Sequence, residues 1–299
     1  MTLFTGLSAF PLTPTDDEGQ LNSELLHRFL ERIVAAGADS IGLLGSTGGY
    51  AYLTPEARKR VLRAAVDCVA GRTPIIVGVG ALTTDVAKEL ARDARKAGAD
   101  GLLLAPMSYQ SLTDEEVFRH FEAVATVGEL PLCIYNNPGT TKFTFSLDLI
   151  SRLAEIPNVS AVKMPLPADG DYAGELRRLQ GITPDDFAVG YSGDWGAKDA
   201  LLARGACWYS VVAGLLPEPS LALTRAAQTG DGAEAERINN AFDPLWALFR
   251  EFGSFRVMFT VAESLGLGRI TPPRPILPLE PASRERVEVA LRPLLQVGV

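Results

Sequence analysis

A lysine at the end of a short apolar segment is the residue of this chain best suited to chemistry. Lys163 closes a β-branched run that begins at Val159, and Pro165 follows almost at once. A run of this length, flanked by prolines, is typical of a buried strand of a parallel sheet. Because burial disfavours the ammonium form and lowers the pKa of a lysine, we expect Lys163 to be a nucleophilic amine that forms a Schiff base with a carbonyl carbon. The alternative is a lysine that reaches solvent or pairs with a carboxylate.

Two other segments carry polar groups that could assist such an amine. Tyr135 ends the predicted strand before that of Lys163, and a glycine-rich turn at 45–49 contains Ser46 and Thr47. A phenol can transfer protons through hydroxyl groups or water, and the amides and hydroxyls of a glycine-rich turn can bind an anion. Each feature alone is more often structural, a packing residue or a simple turn. The fold must therefore bring them together before they indicate a site.

Apolar segments and helical patterns alternate along the first 228 residues. The helix stop Ala-Gly-Ala-Asp occurs at 36–39 and 97–100, with a related sequence at 203–206. Eight alternations of about 25 to 30 residues predict an α/β fold, a (β/α)8 TIM barrel, and a doubly wound sheet with fewer strands is the alternative. In a barrel the carboxyl ends of all strands meet at one face, so Lys163, Tyr135 and the glycine-rich turn would share one site. The predicted strands begin near residues 6, 40, 74, 101, 131, 159, 187 and 208.

The rest of the chain predicts a small helical domain. Ile238, Phe242, Leu245 and Phe249 recur at helical spacing after residue 229. Such a stripe is typical of packing against the barrel or a neighbouring subunit. We therefore expect a barrel with the active site at 1–228 and a C-terminal helical domain at 229–299.

Composition limits the classes of partner. The formal charge of -8 and the pI near 5.0 argue against nucleic acid or an anionic membrane as a partner. Cys68, Cys133 and Cys207 lie in apolar contexts, as expected of reduced thiols in a cytoplasmic protein. The first residues show no secretory signal pattern, and no apolar run approaches the roughly 20 residues of a membrane span. We expect a cytoplasmic protein.

Other kinds of active site find little support. Gly78-Val-Gly80 begins like a dinucleotide fingerprint, but Thr83 stands at the position of the third glycine. A metal-dependent aldolase needs clustered histidines, whereas His27 and His120 lie on separate predicted helices. The segment from Ser192 to Asp194 lacks the histidine of a hydrolase triad. We expect no cofactor and no metal.

Taken together, these segments resemble the dihydrodipicolinate synthase / N-acetylneuraminate lyase family of class I aldolases. The resemblance covers essentially the full length, and the joint pattern is far more specific than any one part. It rests on Gly-Ser-Thr-Gly before a helix that begins Leu-Thr-Pro-Glu, Tyr-Asn-x-Pro-Gly at 135–139, the strand-final Lys163, Ser-Gly-Asp at 192–194 and Pro-Leu-x-Pro at 278–281.

The resemblance implies a role for each of these segments. The amine of Lys163 would form an imine with the keto carbon of pyruvate or a similar acid, and Tyr135 would be the acid and base. Ser46 and Thr47 would hold the substrate carboxylate, and Thr47 would also take part in catalysis. The residues expected to flank the bound keto acid are Gly193 and Tyr209.

Departures from the family pattern affect the second substrate. Gly49 stands where the family usually has Glu, and Thr140 stands in the substrate-binding position where true synthases have an arginine. The loop at 164–171 is longer than usual. We therefore expect a Schiff-base aldolase or lyase acting on pyruvate or a hydroxylated 2-keto acid. The alternatives are a 2-keto-3-deoxy sugar acid dehydratase, a genuine 4-hydroxy-tetrahydrodipicolinate synthase, and a catalytically silent keto-acid or sugar-acid binding protein.

The resemblance also implies an assembly. Family members extend a tyrosine, which follows the fourth strand, into the active site of a neighbouring subunit. Ser108 or Tyr109 aligns with it here, and Tyr109 is the expected catalytic residue. We expect a homotetramer, a dimer of dimers.

Overall fold

A closed barrel of parallel strands forms the centre of the protein. The computed structural model describes residues 3–16 and 18–297, and in that part of the chain eight strands pair in sequence order, with β1 also pairing with β8. The predicted TIM barrel is therefore confirmed. The strands are β1 (Gly6–Ala9), β2 (Ser40–Leu43), β3 (Ile75–Gly78), β4 (Gly101–Leu104), β5 (Leu132–Tyr135), β6 (Val159–Met164), β7 (Ala188–Tyr191) and β8 (Cys207–Ser210).

Helices surround the barrel and continue beyond it. They are α1 (Ser23–Ala36), α2 (Pro55–Val69), α3 (Thr84–Ala97), α4 (Asp114–Gly128), the single turn α5 (Pro138–Thr141), α6 (Leu147–Ala154), α7 (Tyr172–Gln180), α8 (Ala197–Leu202), α9 (Pro217–Thr229), α10 (Gly232–Phe252), α11 (Ser254–Ser264) and α12 (Pro281–Leu291).

The repeated helix stop has a specific backbone geometry. Gly37 and Gly98 follow α1 and α3 in the left-handed conformation, with φ of 81° and 91°. In this conformation glycine has no Cβ penalty, and its N–H satisfies carbonyls of the last helical turn. In the third copy Arg204, with φ of 76°, takes the left-handed position. In the sequence that follows α8, the residue with positive φ is therefore Arg204, one position before the glycine.

The aspartates of the stop join each helix to the barrel. The carboxylate of Asp39 accepts a hydrogen bond from the Leu7 amide, and that of Asp100 accepts one from the Ile75 amide. Each amide lies in the strand before the aspartate, at the amino-terminal end of the barrel. The repeat therefore fixes the face of the barrel opposite to the strand ends at which Lys163 lies.

The C-terminal helices pack on one side of the barrel. α10 contacts α8 and α9, and α11 and α12 pack on α10. The predicted boundary at residue 228 falls in the last turn of α9, and the division into 1–228 and 229–299 stays a prediction. Within 3–16 and 18–297, no helix is long and apolar enough to cross a bilayer.

Candidate active site

Lys163 lies near the carboxyl end of β6 with its side chain 4% exposed. Its Nζ atom is 4.0 Å from the ring centroid of Phe10, 4.3 Å from that of Tyr135 and 5.5 Å from that of Tyr209. Among the described residues it forms no ion pair. The alternative of a solvent-exposed or ion-paired lysine is therefore wrong. The amine is enclosed by rings that solvate a cation weakly compared with water.

Tyr135 stands beside this amine because of strand register. Tyr135 on β5 pairs directly with Lys163 on β6, so their side chains point to the same side of the sheet. The Tyr135 phenol oxygen accepts a hydrogen bond from Asn137 Nδ2 at 2.9 Å and shares one with Ser46 Oγ at 3.2 Å. Since Asn137 can only donate through this nitrogen, the phenol proton is free to point towards Ser46. The geometry provides a proton path from the phenol to a hydroxyl.

The glycine-rich turn separates the two hydroxyl residues that the sequence groups together. Ser46 faces the Tyr135 phenol and is half-buried, whereas Thr47 is 5% exposed. Thr47 lines a small cavity together with Phe259 of α11 and Pro273. Ser46 is therefore the hydroxyl next to the phenol, and the catalytic role of Thr47 stays a prediction.

Gly193 and its neighbour Asp194 follow β7. Gly193 has φ of 94°, and a Cβ there would lie 2.8 Å from Cγ of Leu166 in the loop after β6. A glycine is thus required where the two loops meet. The predicted contact of Gly193 with a keto acid stays a prediction.

Asp194 is a buried carboxylate near the amine. It accepts hydrogen bonds from Trp208 Nε1 at 2.8 Å, the Val211 amide at 3.1 Å and the Val212 amide at 3.0 Å. Burial raises the pKa of Asp194 to about 6, while these donors and the charge of Lys163 oppose the rise. The residue therefore joins the loop after β7 to the end of β8, beneath the candidate site.

Tyr209 lies inside the barrel rather than at its mouth. Its side chain is fully buried, and its hydroxyl lies 3.4 Å from Cys133 Sγ. Burial raises the pKa of the Tyr209 phenol well above its usual value, so the group stays protonated. Tyr209 approaches Lys163 from the interior of the barrel, and a direct contact with substrate stays a prediction.

A pocket of about 320 Å³ opens beside Ser46. We call it the distal pocket. It shares Ser46, the hydrogen-bond partner of the Tyr135 phenol, with the candidate site, but Lys163 is not among its lining residues. Thr140 and Thr141 of α5 supply part of its lining. The remaining lining includes Gly49, Tyr50, Tyr52, Leu82, Met107, Ser108 and Phe255. A pocket of this size is suited to a small ligand.

The residues after β4 do not meet Lys163 within one chain. Tyr109 is 92% exposed and points away from the described residues. Ser108 lines the distal pocket and donates a hydrogen bond to the carbonyl of Gln110. The expected catalytic role of Tyr109 depends on a second chain and stays a prediction.

Sequence reasoning missed several residues of the site. Phe10 follows β1, and its ring passes so close to Gly42 that a Cβ there would come within 2.2 Å of it. The glycine in β2 was a signal for such a close approach. Asn137 belonged to a recognised motif but had no assigned role. Phe255, on α11, had no sequence signal at all.

Metal binding has no obvious ligand set. In 3–16 and 18–297, no group of three or more His, Cys, Asp or Glu side chains is arranged to hold a metal ion. The thiols of Cys68, Cys133 and Cys207 are free.

Comparison with known proteins agrees with this geometry. The model of the dihydrodipicolinate synthetase family matches residues 3–294. A 4-hydroxy-tetrahydrodipicolinate synthase from Aromatoleum aromaticum is 34% identical over 294 residues, 97% of this chain and 98% of the relative. A relative from Methylococcus capsulatus with the same name is 35% identical over 292 residues, 96% of each chain.

Solved structures give the same family. A dihydrodipicolinate synthase from Agrobacterium tumefaciens is 58% identical, with a TM-score of 0.96 over 98% of each chain. The chloride-inhibited dihydrodipicolinate synthase from Acinetobacter baumannii, solved in complex with pyruvate, is 29% identical, with a TM-score of 0.89 over 99% of this chain and 100% of the other. The resemblance that the motifs carry is confirmed. The chain belongs to the dihydrodipicolinate synthetase family and is a class I aldolase-type lyase.

Proposed function

We propose that the protein forms a Schiff base through Lys163 and cleaves or builds a carbon–carbon bond next to pyruvate or a hydroxylated 2-keto acid. The observation that carries the proposal is the enclosed Lys163 amine, 4.3 Å from the ring of Tyr135. An amine that attacks a carbonyl must be uncharged for part of the time and needs a proton donor and acceptor nearby. Adjacent strands fix the Tyr135 phenol beside the amine in register, which supports the second requirement.

The reaction in the cleavage direction begins with imine formation. The neutral Lys163 amine adds to the C2 carbonyl carbon, and the carbonyl oxygen leaves as water after taking up protons. The C4 hydroxyl then loses its proton to the hydrogen-bonded pair of Tyr135 and Ser46. As the C3–C4 bond breaks, its electron pair moves into the iminium, which becomes an enamine. The aldehyde leaves, C3 takes back a proton, and water hydrolyses the imine to pyruvate and the free amine.

The substrate carboxylate would lie at the glycine-rich turn. The backbone amides and hydroxyls of Ser46 and Thr47 are suited to an anion, and Gly193 would border the other side of the keto acid. A relative from Acinetobacter baumannii, solved with pyruvate, supports pyruvate as the common part of the substrate. Tyr209 would support the amine from inside the barrel.

Two enzymatic alternatives use the same imine. The names of the Aromatoleum and Methylococcus relatives favour 4-hydroxy-tetrahydrodipicolinate synthase. Thr140, in the position where synthases have an arginine, argues against a second substrate that carries a carboxylate. A dehydratase would lose a C3 proton and then the C4 hydroxyl as water, without cleaving the chain.

A panel of 2-keto-3-deoxy acids tests these possibilities. We expect at least one member to release pyruvate, measured with a lactate dehydrogenase couple. Consumption of an acid without pyruvate release would favour the dehydratase. If no member is consumed but several bind in calorimetry, the protein is a silent binding protein and the proposal fails.

The proposed assembly and location follow from the family. We propose a cytoplasmic homotetramer, a dimer of dimers, in which Tyr109 reaches a neighbouring site. The 92% exposure of Tyr109 in the single chain supports this proposal. Unpaired thiols at Cys68, Cys133 and Cys207 agree with a reducing compartment.

A further inference from the structure

The Tyr50 hydroxyl is an unused hydrogen-bond donor of the distal pocket. Tyr50 follows Gly49 in the turn after β2, lines the pocket beside Ser46 and is only 8% exposed. Within 3–16 and 18–297 its hydroxyl forms no hydrogen bond, and it is not one of the polar atoms sealed inside the protein. A buried tyrosine usually has a partner for its O–H. The Tyr52 hydroxyl of the same pocket differs, because that residue is 49% exposed and its hydroxyl can bond to water.

The Tyr50 ring lies on the face of the barrel where the strands end. A Cβ at Gly80, two residues after β3, would lie 3.4 Å from Tyr50 Cε2. Burial raises the pKa of the Tyr50 phenol, and the charge that an ionised Tyr135 would carry raises it further. The phenol therefore stays protonated, and its O–H is available to a ligand as a hydrogen-bond donor rather than as a base.

Arg58 places a positive charge behind this phenol. The residue is 5% exposed, and its Cζ lies 5.2 Å from the ring centroid of Tyr50. Its terminal nitrogens donate to the carbonyls of Gly80 at 2.9 Å and Gly78 at 2.7 Å, whereas Nε has no partner. Among the described residues no carboxylate pairs with it. Burial lowers the pKa of Arg58 to about 10, so the guanidinium is still charged at neutral pH.

The position of Arg58 is unfavourable for a cation. It is the fourth residue of α2, close to the positive end of the helix dipole, and buried charges are normally paired. Its charge does have an effect on Tyr50, because it opposes the rise in the pKa of that phenol. A nearby cation thus polarises the O–H bond of Tyr50 and makes it a stronger hydrogen-bond donor.

We propose that Tyr50 is a further catalytic residue, which donates a hydrogen bond to the C4 oxygen of the substrate while the C3–C4 bond breaks, and that Arg58 is the positioning residue that holds and polarises it. The inference deepens the proposed function and rests on it. As the C4 hydroxyl loses its proton to Tyr135 and Ser46, its oxygen gains negative charge, which the Tyr50 O–H stabilises until the C4 carbonyl has formed.

The step moves no additional proton. The electron pair of the C3–C4 bond enters the iminium, and Tyr50 keeps its own proton throughout. A donor directed at charge that develops only in the transition state raises kcat rather than the affinity for substrate. The contribution of Tyr50 should therefore appear in kcat.

Tyr50→Phe removes only the hydroxyl and tests the donor. With a 2-keto-3-deoxyhexonic acid as substrate, we expect kcat for pyruvate release to fall about 100-fold, the effect of losing one donor to a developing oxyanion. KM should change little. Full activity of Tyr50→Phe would overturn the inference.

The matched control is Tyr191→Phe, which also removes the hydroxyl of a buried tyrosine. Gly190 pairs with Lys163, so Tyr191 faces the opposite side of β7, where its ring centroid lies 5.5 Å from that of Tyr172. We expect this variant to keep the kcat of the wild type. An equal fall of kcat in both variants would show that the effect is not local to Tyr50 and would contradict the inference.

Two substitutions of Arg58 test its part. Arg58→Lys keeps a cation behind the ring, whereas Arg58→Met removes the charge from a side chain of similar length. We expect Arg58→Lys to retain more of the wild-type kcat than Arg58→Met, with similar KM in both. Equal kcat in the two variants would refute the positioning role of Arg58.

Reduction with borohydride in the presence of pyruvate separates the inference from the proposed function. Pyruvate has no C4 oxygen, so Tyr50→Phe should give as much reduced adduct as the wild type. If the adduct forms in both but Tyr50→Phe cleaves the hexonic acid as fast as the wild type, the inference fails and the proposed function stands. If the wild type forms no adduct, the proposed function fails and the inference fails with it. An adduct in the wild type but not in Tyr50→Phe would also contradict the inference, because Tyr50 would then act before the C3–C4 bond breaks.

Discussion

The Lys163 amine is held by aromatic rings rather than by a counter-charge. Phe10, Tyr135 and Tyr209 lie within 5.5 Å of Nζ, and Asp194 is bonded to other donors. Rings interact with the ammonium through their faces and leave the neutral amine unencumbered. A carboxylate in direct contact would hold the amine in its charged form. Among the described residues, no carboxylate is in such contact with Lys163.

Asp194 makes the stability of the protein depend on pH. Burial raises its pKa from 3.8 to about 6, so the folded state binds a proton that the unfolded state has released. The stabilisation that this bound proton gives to the folded state is fully present below about pH 4 and is lost as the pH rises through about 6. The free energy of unfolding changes by roughly 3 kcal/mol over this range. We expect Asp194→Asn to be more destabilising at pH 4 than at pH 7, as measured by chemical denaturation across this range.

Asp185→Asn is the matched control for this prediction. Asp185 is exposed in the loop before β7. Its substitution should leave the pH dependence of the unfolding free energy parallel to that of the wild type. If the unfolding free energy of Asp194→Asn also follows the same pH dependence as that of the wild type, the pKa of Asp194 is not raised in the folded protein.

The sequence indicated some residues of the site better than others. Lys163 and Tyr135 each end a predicted strand, and register in a parallel barrel then brings them together. Asp194 and Trp208 could not be paired in advance, because their hydrogen bond depends on how the loop after β7 turns. Thr47 and Ser46 are adjacent in sequence, and only the geometry of the turn shows which hydroxyl meets the phenol.

At the scale of elements, the turn after β2 is the part of the barrel that contacts α11 of the C-terminal helices beside the distal pocket. Gly49 has φ of 62° and lines the distal pocket beside Phe255 of α11. The repeated helix stops were predictable because glycine and aspartate signal them locally. The contact of Phe255 with the pocket was not, since an apolar stripe on a helix does not reveal its partner.

Gly49→Ala tests how this turn affects activity. An alanine with positive φ costs about 1 to 2 kcal/mol in the free energy of unfolding. The added methyl group also narrows the pocket, because a Cβ would lie 3.6 Å from Phe255 Cζ. We expect both lower stability and a changed kcat/KM for 2-keto-3-deoxy acids.

Gly71→Ala separates these two effects. Gly71 has φ of 74°, and a Cβ there would have no atom within 4 Å. It lies in the loop before β3, far from the distal pocket in the fold. We expect a similar loss of stability with unchanged kcat/KM. A similar change of kcat/KM in both variants would contradict a local role for Gly49.

At the scale of the whole molecule, the single chain leaves apolar groups exposed near the pocket. Leu82 is 65% exposed and Tyr109 is 92% exposed. The barrel and its strand order were predictable from the number and length of the alternations. The homotetramer that the resemblance implies stays a prediction, because one chain shows only which surface is left uncovered.

Mixing of inactive variants tests the proposed shared site. If Lys163 and Tyr109 of different chains form one site, Lys163→Ala and Tyr109→Phe chains that are unfolded and refolded together should regain activity. Random pairing in symmetric dimers would restore roughly a quarter of the wild-type sites. Pyruvate release by the mixture, compared with each variant alone, measures this.

The control is a mixture of Lys163→Ala with Tyr135→Phe. Both residues belong to the site of one chain, since β5 and β6 are adjacent. This mixture should stay inactive however the chains pair. Recovery there, or none in the Tyr109 mixture, would refute the shared site.

The most direct test of the Schiff-base function is reduction of the protein with borohydride in the presence of pyruvate. We expect one reduced pyruvate adduct per chain, located by peptide mass spectrometry at Lys163. Lys163→Ala should abolish it, whereas Lys88→Ala, a change to a surface lysine of α3 that pairs with Asp85, should not. An unmodified wild-type protein, or an adduct at any other lysine, would contradict the central claim.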